Sequence, residues 1–571
     1  DAVWDAFDDV KNQFLQLGWA LSLSTKDKPG KTVVLATNAA LREELGKQSH
    51  RRGVRVSKHA RGLGVDVIAG RRPARGKLVQ NARVRTVRAR GVKLRWAKRG
   101  GGATRKVGKA GITPQATYGA GCVAAPPAER EKIRGVINLT EMGRTHSCSR
   151  SLRLAMGGLD PVPDMVAAPF YKWACAVWER GVTTSLRHAW TRHRATEDWD
   201  AVRGPASSVG ILKDEIGWQW PQPGLFISRD GYRVDLEQIA PCDVRRQAKI
   251  DAEAAMWSTW CQAQEGELGT LAPRPFIEPL REWFKRRRAG HGVHLARQAV
   301  CGGQWVQQRA YDEGRASTNG CQRCASEGRD SAGTVVHRMC TCPCTEHARK
   351  ELPRTWQHRI EKGWERLLWE RGLTRATPAP QSATQPRTER WAAKPGVLDR
   401  EFGDPAWYIA LDGSKVGRYV GTSRASYAVT ATDTDGEVQL ALSGTVHAAL
   451  PCQNTSGRGE LEAVLALLRN FGAFPVKFYT DYQRVIDGLN RGKEWCCSAQ
   501  RRDADLWRLI WARYEALAAE GLVSHAKVKA HTALYRIEAA GAEEKPRLLA
   551  NRAVDLVARQ TANDEWGFLR F

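Results

Sequence analysis

The sequence has no long hydrophobic run: no stretch of its 571 residues approaches the roughly 18 apolar residues that a membrane-spanning helix needs. No charged segment followed by an apolar one stands at its start, so we expect neither secretion nor a membrane partner. We expect an intracellular protein, and nothing separates nucleus from cytoplasm. The first residue is Asp1 and not methionine, as expected of either a fragment or a translated open reading frame.

Acidic residues are scarce relative to basic ones. There are 61 Asp and Glu against 89 Lys and Arg, a formal net charge of +28, and between Arg51 and Lys109 only Asp66 is acidic. This excess predicts a polyanionic partner, most simply the phosphate backbone of nucleic acid, without naming an activity. Apolar residues recur in the same segment, and "GLGVDVIAG" has the pattern of a buried strand. We therefore expect a folded basic surface rather than a disordered tail.

The middle of the chain, about residues 126–298, is rich in tryptophan and has helical periodicity. Two stretches, "FYKWACAVWER" and "FIEPLREWFKRRR", are candidate amphipathic helices, and neither carries a recognisable chemical motif. The Pro/Thr/Ala-rich stretch "TRATPAPQSATQPRTER" predicts a linker before residue 400. The length would accommodate three or four domains.

Five of the 14 cysteines lie between Cys321 and Cys344. Two ligand pairs with the spacing of a tetrahedral zinc site, CxxC and HxxC, are separated by twelve residues. The predicted ligands are Cys321, Cys324, His337 and Cys340, and the spare ligands that could replace one of them are Cys342, Cys344 and His347. The alternative is a chance group of free cysteines. Four protein ligands leave no open position, so Zn²⁺ would be structural.

The C-terminal part reads as alternating strands and helices. The apolar run Trp407–Leu411 predicts a first strand, and "SYAVTATDTDGEVQLALSGTV" predicts two more joined at the turn pair Asp435-Gly436. We therefore interpret Asp433 and Asp435 as turn residues.

A helix, "GRGELEAVLALLRNF", follows, and then come the strand "VKFYTD", a helix, the strand "HAKVKAH" and a last helix, "LLANRAVDLVARQ". The element order βββαβαβα predicts an α/β fold: a five-stranded mixed sheet flanked by helices. A mostly helical and basic α+β region, with the small zinc-binding segment, would precede it.

Carboxylates recur where such a sheet could gather them. Asp412 closes the first strand, Asp481 closes the fourth, Glu460 lies early in the helix between them, and Asp555 lies on the last helix. Asp412-Gly413 is also a favoured turn pair, so a plain turn is the alternative for Asp412. Oxygen ligands without Cys or His suit Mg²⁺, and two such ions can promote phosphodiester hydrolysis.

The motifs IALDGS, RGELEA, FYTD and NRAVD, in this order, resemble those of type 1 ribonuclease H domains over about residues 401–565. Members of that family bind two Mg²⁺ ions, with Mn²⁺ as a substitute, and cut the RNA strand of an RNA–DNA hybrid. The resemblance implies four metal ligands: Asp412, Glu460, Asp481 and Asp555. It favours Glu460 over Glu462, which helical periodicity does not separate.

The same resemblance implies further site residues. Thr455, Arg458 and Ser414 would contact the hybrid, and His531 would correspond to a mobile histidine that helps protons and product to leave. The sequence departs from the family in Ser456, where asparagine is usual, in a longer connection from His531 to the last helix, and in a less glycine-dense turn after the first strand.

The zinc-binding segment is similar to the region after the polymerase domain of non-LTR retrotransposon proteins, and "ARGLGVDVIAG" and "GITPQATYGAGCVAAP" resemble parts of a reverse transcriptase. We therefore expect five segments: a basic palm and thumb remnant (1–124), a helical connection (125–300), the zinc-binding segment (301–350), a helix and linker (351–400) and the ribonuclease H domain (401–565). No DNA synthesis is expected. The alternatives are a catalytically silent nucleic-acid-binding remnant and a nuclease with another substrate.

Overall fold

The structure is a computed structural model. It describes residues 33–35, 39–49, 54–57, 59–62, 65–68, 78–99, 108–142, 148–202, 204–263, 275–286, 291–361, 366–375, 389–394, 406–417, 424–470 and 475–563, together with Asp5, Asp8, Asp9, Leu271 and Val397. Two compact units are present, Asp1–Arg144 with His193–Leu212, and Thr145–Arg192 with Lys213–Phe571. The boundaries expected at residues 300, 350 and 400 fall inside the second unit. Most of the predicted linker, residues 376–388, lies outside the described residues.

The first unit combines short strands with helices. Its strands are β1 (Val33–Leu35), β2 (Arg55–Ser57), β3 (His59–Gly62) and β4 (Val65–Ile68), and its helices are α1 (Ala39–Ser49), α2 (Leu78–Arg99), α3 (Thr113–Thr117) and α4 (Pro127–Met142). Strands β3 and β4 are antiparallel, and of "GLGVDVIAG" the structure describes Gly62, which ends β3, and Val65–Ile68, which form β4. Helix α2 carries six arginines and two lysines and no acidic residue. It buries Val87, while Arg85, Arg88 and Lys93 are exposed, as expected of a folded basic surface.

The second unit begins with helices and a small sheet. Its helices are α5 (Arg150–Gly157), α6 (Val162–Arg180), α7 (Thr184–His193), α9 (Pro241–Gln262), α10 (Glu278–Arg286) and α11 (His291–Val300), and its strands are β5 (Gln219–Gln222), β6 (Leu225–Ile227) and β7 (Arg233–Asp235). Helix α8 (Pro205–Glu215) lies mostly within the first unit, which includes His193–Leu212. Both predicted amphipathic helices are present, as α6 and α10. The antiparallel sheet β5-β6-β7 was not predicted, because its strands have only three or four residues and carry little periodicity.

Short helices surround the cysteine cluster. They are α12 (Gln307–Asp312), α13 (Gln322–Ala325), α14 (Glu346–Lys350), α15 (Arg354–Glu361) and α16 (Arg366–Arg371), with a π-helical turn at His337–Thr341 and a 3₁₀ turn at Pro343–Thr345.

The C-terminal part is a mixed sheet of six strands. They are β8 (Glu389–Ala393), β9 (Tyr408–Val416), β10 (Arg424–Thr432), β11 (Val438–Thr445), β12 (Val476–Thr480) and β13 (Val523–Lys527), in the order β13-β12-β9-β10-β11-β8. Strands β8 to β11 pair antiparallel, and β12 is parallel to both β9 and β13. The mixed sheet is confirmed, but the prediction of five strands was wrong. Strand β8 at the edge exposes four of its five residues, so it carries almost no apolar signal.

Helices cover both faces of this sheet. They are α17 (Ser456–Arg469), α18 (Gln483–Arg491), α19 (Lys493–Cys496), α20 (Ala504–Ala519), α21 (Leu534–Glu538) and α22 (Lys545–Asn563). Helices α17 and α20 share one large apolar core with the sheet. Helix α22 packs elsewhere on the sheet through small residues, among them Ala410, Ala428 and Ala558. Small side chains let it approach closely, and the Ser426 hydroxyl donates a hydrogen bond to the Ala558 carbonyl at 2.7 Å.

The hairpin between β10 and β11 confirms the predicted turn. Gly436 has φ +84°, which favours glycine, and the Asp433 carboxylate accepts hydrogen bonds from the backbone N–H groups of Asp435 (3.0 Å) and Glu437 (2.9 Å). Neither Asp433 nor Asp435 is therefore needed to explain any chemistry.

One buried carboxylate of the helical part generates a pH-dependent prediction. Burial raises the pKa of Asp251 to about 7, although Trp218 Nε1 donates to it at 2.7 Å and Gln247 Nε2 at 3.1 Å. Its pKa in the unfolded chain is about 3.9, so the folded state binds an extra proton between about pH 4 and pH 7, and stability falls as pH rises through this window. The free energy of unfolding of Asp251→Asn, relative to wild type, should therefore increase from pH 4 to pH 7, by at most about 4 kcal/mol. Urea unfolding followed by tryptophan fluorescence would measure this difference, and parallel pH profiles for the two proteins would contradict the prediction.

Candidate metal centres

Three carboxylates meet at one edge of the large sheet. Asp412 lies on β9, Glu460 on α17 and Asp481 directly after β12, and one oxygen of each lies within 4.8 Å of those of the other two. The parallel neighbours β9 and β12 carry their carboxyl ends to the same edge. Three of the four predicted carboxylates are therefore brought together.

The sequence predicted that strand β9 ends at Asp412, and this prediction was wrong. The strand continues to Val416, and Asp412 is paired with Ala428 of β10. The neighbouring strand β12 ends first, because its last residue paired with β9 is Thr480, opposite Leu411. Asp412 therefore lies one residue beyond the end of β12 and has no partner residue on that strand.

Two glycines bring Glu460 to Asp412. A Cβ atom on Gly413 would lie 2.3 Å from the backbone nitrogen of Glu460, and one on Gly459 would lie 2.3 Å from the carbonyl oxygen of Ser426. Helix α17 thus touches the backbone of β9 and β10. The Asp412-Gly413 pair serves this contact rather than a hairpin turn.

The electrostatics of the cluster favour a cation. Burial, with the nearby charges of Asp481 and Asp555, raises the pKa of Asp412 to about 6. Burial, followed by the charge of Asp412, raises the pKa of Glu460 well above its usual range. Asp412 is only 9% exposed and Glu460 only 5%. Buried carboxylates whose charged forms are disfavoured in this way suit a cation, and their oxygens are the hard ligands that Mg²⁺ and Mn²⁺ prefer.

Asp555 lies beside this cluster rather than within its tightest group. Its carboxylate pairs with Arg559 Nε at 2.9 Å, an i,i+4 contact on α22, and lies 3.8 Å from His531 Nδ1. His531 is 70% exposed in its side chain and has φ +45°, in the loop after β13. The Asp555–Arg559 pair was not predicted, although oppositely charged residues four positions apart on a helix are expected to pair.

Glu460, and not Glu462, belongs to the cluster. Glu462 is buried on the same helix, and its charge is one of those that raise the pKa of Arg458. The motif match separated these two residues correctly, where periodicity could not.

The expected contact of Arg458 with a hybrid was wrong. Its side chain is 3% exposed, and its guanidinium donates to both Asp505 oxygens (3.2 and 2.7 Å) and to the His447 carbonyl (2.9 Å). Its hydrogen-bonding capacity is thus used inside the protein. The Thr455 hydroxyl caps α17 by accepting from the Arg458 N–H at 3.2 Å, and Ser414 is half-buried on β9.

The second candidate centre is the cysteine cluster. Cys321, Cys324, His337 and Cys342 lie close enough together to hold a zinc ion. Cys324 Sγ is 3.2 Å from His337 Nε2 and 3.6 Å from Cys342 Sγ, and the sulfur of Cys344 is 3.9 Å away. The three thiols and one imidazole are the donor set of structural zinc sites.

Cys342 occupies the place that the spacing had assigned to Cys340, and this is a correction. Residues 337–341 form a π-helical turn, in which the residue five positions on returns to the same side. The Cys342 N–H accordingly donates to the His337 carbonyl at 2.6 Å. A π-helical turn is rare, so HxxC spacing could not reveal it.

Neither a comparison of the sequence with models of protein families nor one with curated proteins gave a match. Among the described residues, no helix has both the length and the apolar character required to cross a membrane. Any assignment of function must therefore come from the two centres themselves.

Replacing Cys342 by serine should lower the affinity for zinc by on the order of 100-fold or more. Loss of a ligand should exceed the roughly 10- to 100-fold effect of losing a ligand's hydrogen-bond partner. Cys340→Ser, the matched control two residues away, should bind zinc as the wild type does. Zinc content after dialysis, together with chelator competition on the full chain, measures both. Equal losses in the two variants would contradict the assignment of Cys342.

Proposed function

We propose that this chain is a metal-dependent endoribonuclease that cuts the RNA strand of RNA–DNA hybrids. The observation that carries the proposal is the group of Asp412, Glu460 and Asp481, two of them buried and Asp481 half-buried, with oxygens within 4.8 Å of one another. Their order along the chain, and their motifs, are those that the resemblance to type 1 ribonuclease H implies. The order of strands and helices in the sheet supports the same resemblance.

The chain's own residues have distinct roles in this proposal. Asp412, Glu460 and Asp481 would bind the metal, and Asp555 would add charge from the side. Mg²⁺ bound there, as two ions by the resemblance, would supply activation of the attacking water and stabilisation of the departing 3′ oxygen. Thr480 holds Glu460 in place, because its hydroxyl donates to Glu460 Oε2 at 3.3 Å. His531, exposed beside Asp555, is suited to carry a proton between the site and solvent.

Preference for RNA would come from contacts to 2′-hydroxyl groups. The basic helix α2, with eight cationic residues (six arginines and two lysines) and no acidic one, would hold phosphates without sequence preference. The zinc cluster would stabilise its short-helix segment. By the further resemblances, the chain would be a retroelement-derived reverse transcriptase fragment without polymerase activity.

The second candidate function is binding of nucleic acid without cleavage, and the basic helix α2 supports it equally well. Binding that moderate salt abolishes, without any cleavage of the hybrid, would identify this function.

The proposal predicts Mg²⁺-dependent cleavage of an end-labelled RNA annealed to DNA by the full chain. Single-stranded and double-stranded RNA should remain intact, and a chelator should stop the reaction. Asp481→Asn and Glu460→Gln should lower kcat about 100-fold or more, because a metal ligand contributes several kcal/mol of charge stabilisation and each 1.4 kcal/mol is about tenfold in rate.

Glu462→Gln is the matched control, since it removes a buried carboxylate from the same helix but outside the cluster. It should retain most of the activity. An intact hybrid with the wild-type chain, Mg²⁺ and all cofactors present would refute the nuclease and leave the binding function.

A further inference from the structure

The helical part of the second unit is joined to the large sheet by specific polar contacts. Trp178 Nε1, on α6, donates to the Cys497 carbonyl at 3.0 Å, and Arg508 Nη2, on α20, donates to the Trp178 carbonyl at 3.1 Å. The Arg508 guanidinium also stacks 3.2 Å from the centroid of the Trp178 ring. These contacts connect residues more than 300 positions apart, so no local pattern would predict them.

Asp243, in the first turn of α9, is at the centre of this junction. It is 0% exposed. Its Oδ2 accepts hydrogen bonds from the Asp503 N–H at 3.3 Å and the Gln453 amide at 3.5 Å, and its carbonyl accepts from the Cys452 thiol at 3.5 Å. Arg246, one turn further on α9, donates to the Cys452 carbonyl at 2.7 Å.

Asp503, whose N–H contacts Asp243, also forms an ion pair with the helix that carries Glu460. Asp503 pairs with Arg458 Nη1 at 3.5 Å and with Arg484 Nη1 at 2.9 Å. Arg458 is two residues before Glu460 on α17. A displacement of Asp503 would therefore be transmitted, through Arg458, to the first turns of α17 and to Glu460.

Asp503 needs an external support of this kind. Its φ of +57° is a left-handed conformation, which is unfavourable for a non-glycine residue and persists where the surroundings fix it. The hydrogen bond from its N–H to Asp243 is one such constraint, and it comes from outside the sheet part.

We propose that Asp243 is a positioning residue for the carboxylate cluster of Asp412, Glu460 and Asp481. Helix α9, which lies outside the sheet part, would then contribute to the geometry of the metal centre. This inference rests on the proposed function for its activity readout, although its metal-binding readout does not. Asp243 acts through Asp503 and Arg458 on Glu460, and touches neither substrate nor metal.

The test compares four full-length variants. Asp243→Ala removes the support, Asp243→Asn keeps an oxygen that can accept the same hydrogen bonds, and Asp243→Glu keeps the carboxyl group but lengthens the side chain in a fully buried place. Asp251→Ala is the matched control. It is a buried carboxylate on the same helix, and it accepts hydrogen bonds from Trp218 and Gln247, which both lie outside the sheet part.

Two quantities are measured at a temperature at which circular dichroism shows the variants folded: Mn²⁺ affinity by calorimetry, with the zinc cluster loaded, and kcat and KM for the hybrid. We expect Asp243→Ala and Asp243→Glu to weaken Mn²⁺ binding and lower kcat about tenfold, with KM little changed. Asp243→Asn should remain within about twofold of wild type. If Asp243→Ala does not fold, the glutamate and asparagine variants decide the question.

The inference would be overturned if Asp243→Ala and Asp243→Glu had the same Mn²⁺ affinity and kcat as Asp251→Ala. If the wild type does not cut the hybrid, the proposed nuclease fails, but weaker Mn²⁺ binding by Asp243→Glu and not by Asp243→Asn would still support the positioning role. The two failures are thus distinguishable.

Discussion

The contact of helix α17 with strand β9 is the constraint on which the candidate site depends. Gly413 and Gly459 allow the two backbones to meet, and a methyl group at either position would lie 2.3 Å from a backbone atom. This contact forces Glu460 and Asp412 into one buried place, where burial raises the pKa of both and the charge of Asp412 raises that of Glu460 further. A fold that needed only stability would gain from separating these charges, because buried like charges are costly without a counterion. The arrangement is understandable as a ligand set for a cation.

Buried carboxylates can also be stabilised by arginines of the protein itself, as in a second group near the start of α20. Asp503 and Asp505 are buried or nearly so, and arginines of the protein pair with them: Arg458 with both, and Arg484 with Asp503. The protein supplies the positive charge there, so the group is structural. Arg458 couples this group to the cluster of Asp412, Glu460 and Asp481, because it lies one helical half-turn from Glu460. Structural and functional carboxylates are therefore distinguished by their partners and not by their burial.

Sequence patterns predicted those features that depend on local spacing. The five long strands, the helices between them, the Asp433 turn and the triad of Asp412, Glu460 and Asp481 all follow from periodicity or motif. Features that depend on distant partners were missed or assigned wrongly. Arg458 is buried because Asp505, 47 positions away, accepts its hydrogen bonds, and the motif carries no information about that partner. Cys342 replaced Cys340 because of a rare π-helical turn, and edge strand β8 forms by pairing rather than by burial.

The junction at Asp243 changes where the functional domain should be delimited. A boundary near residue 400 follows from composition, since a Pro/Thr-rich stretch precedes the sheet. Yet Asp243, Arg246 and Trp178 all bond to backbone atoms of the sheet part, at Asp503, Cys452 and Cys497. Backbone groups that are buried in an interface need those partners, because water does not replace them there. Cutting at residue 400 would remove these bonds together and take away the Trp178 ring against which Arg508 packs. The physical domain is therefore larger than the one that motifs delimit, and it includes α6 and α9.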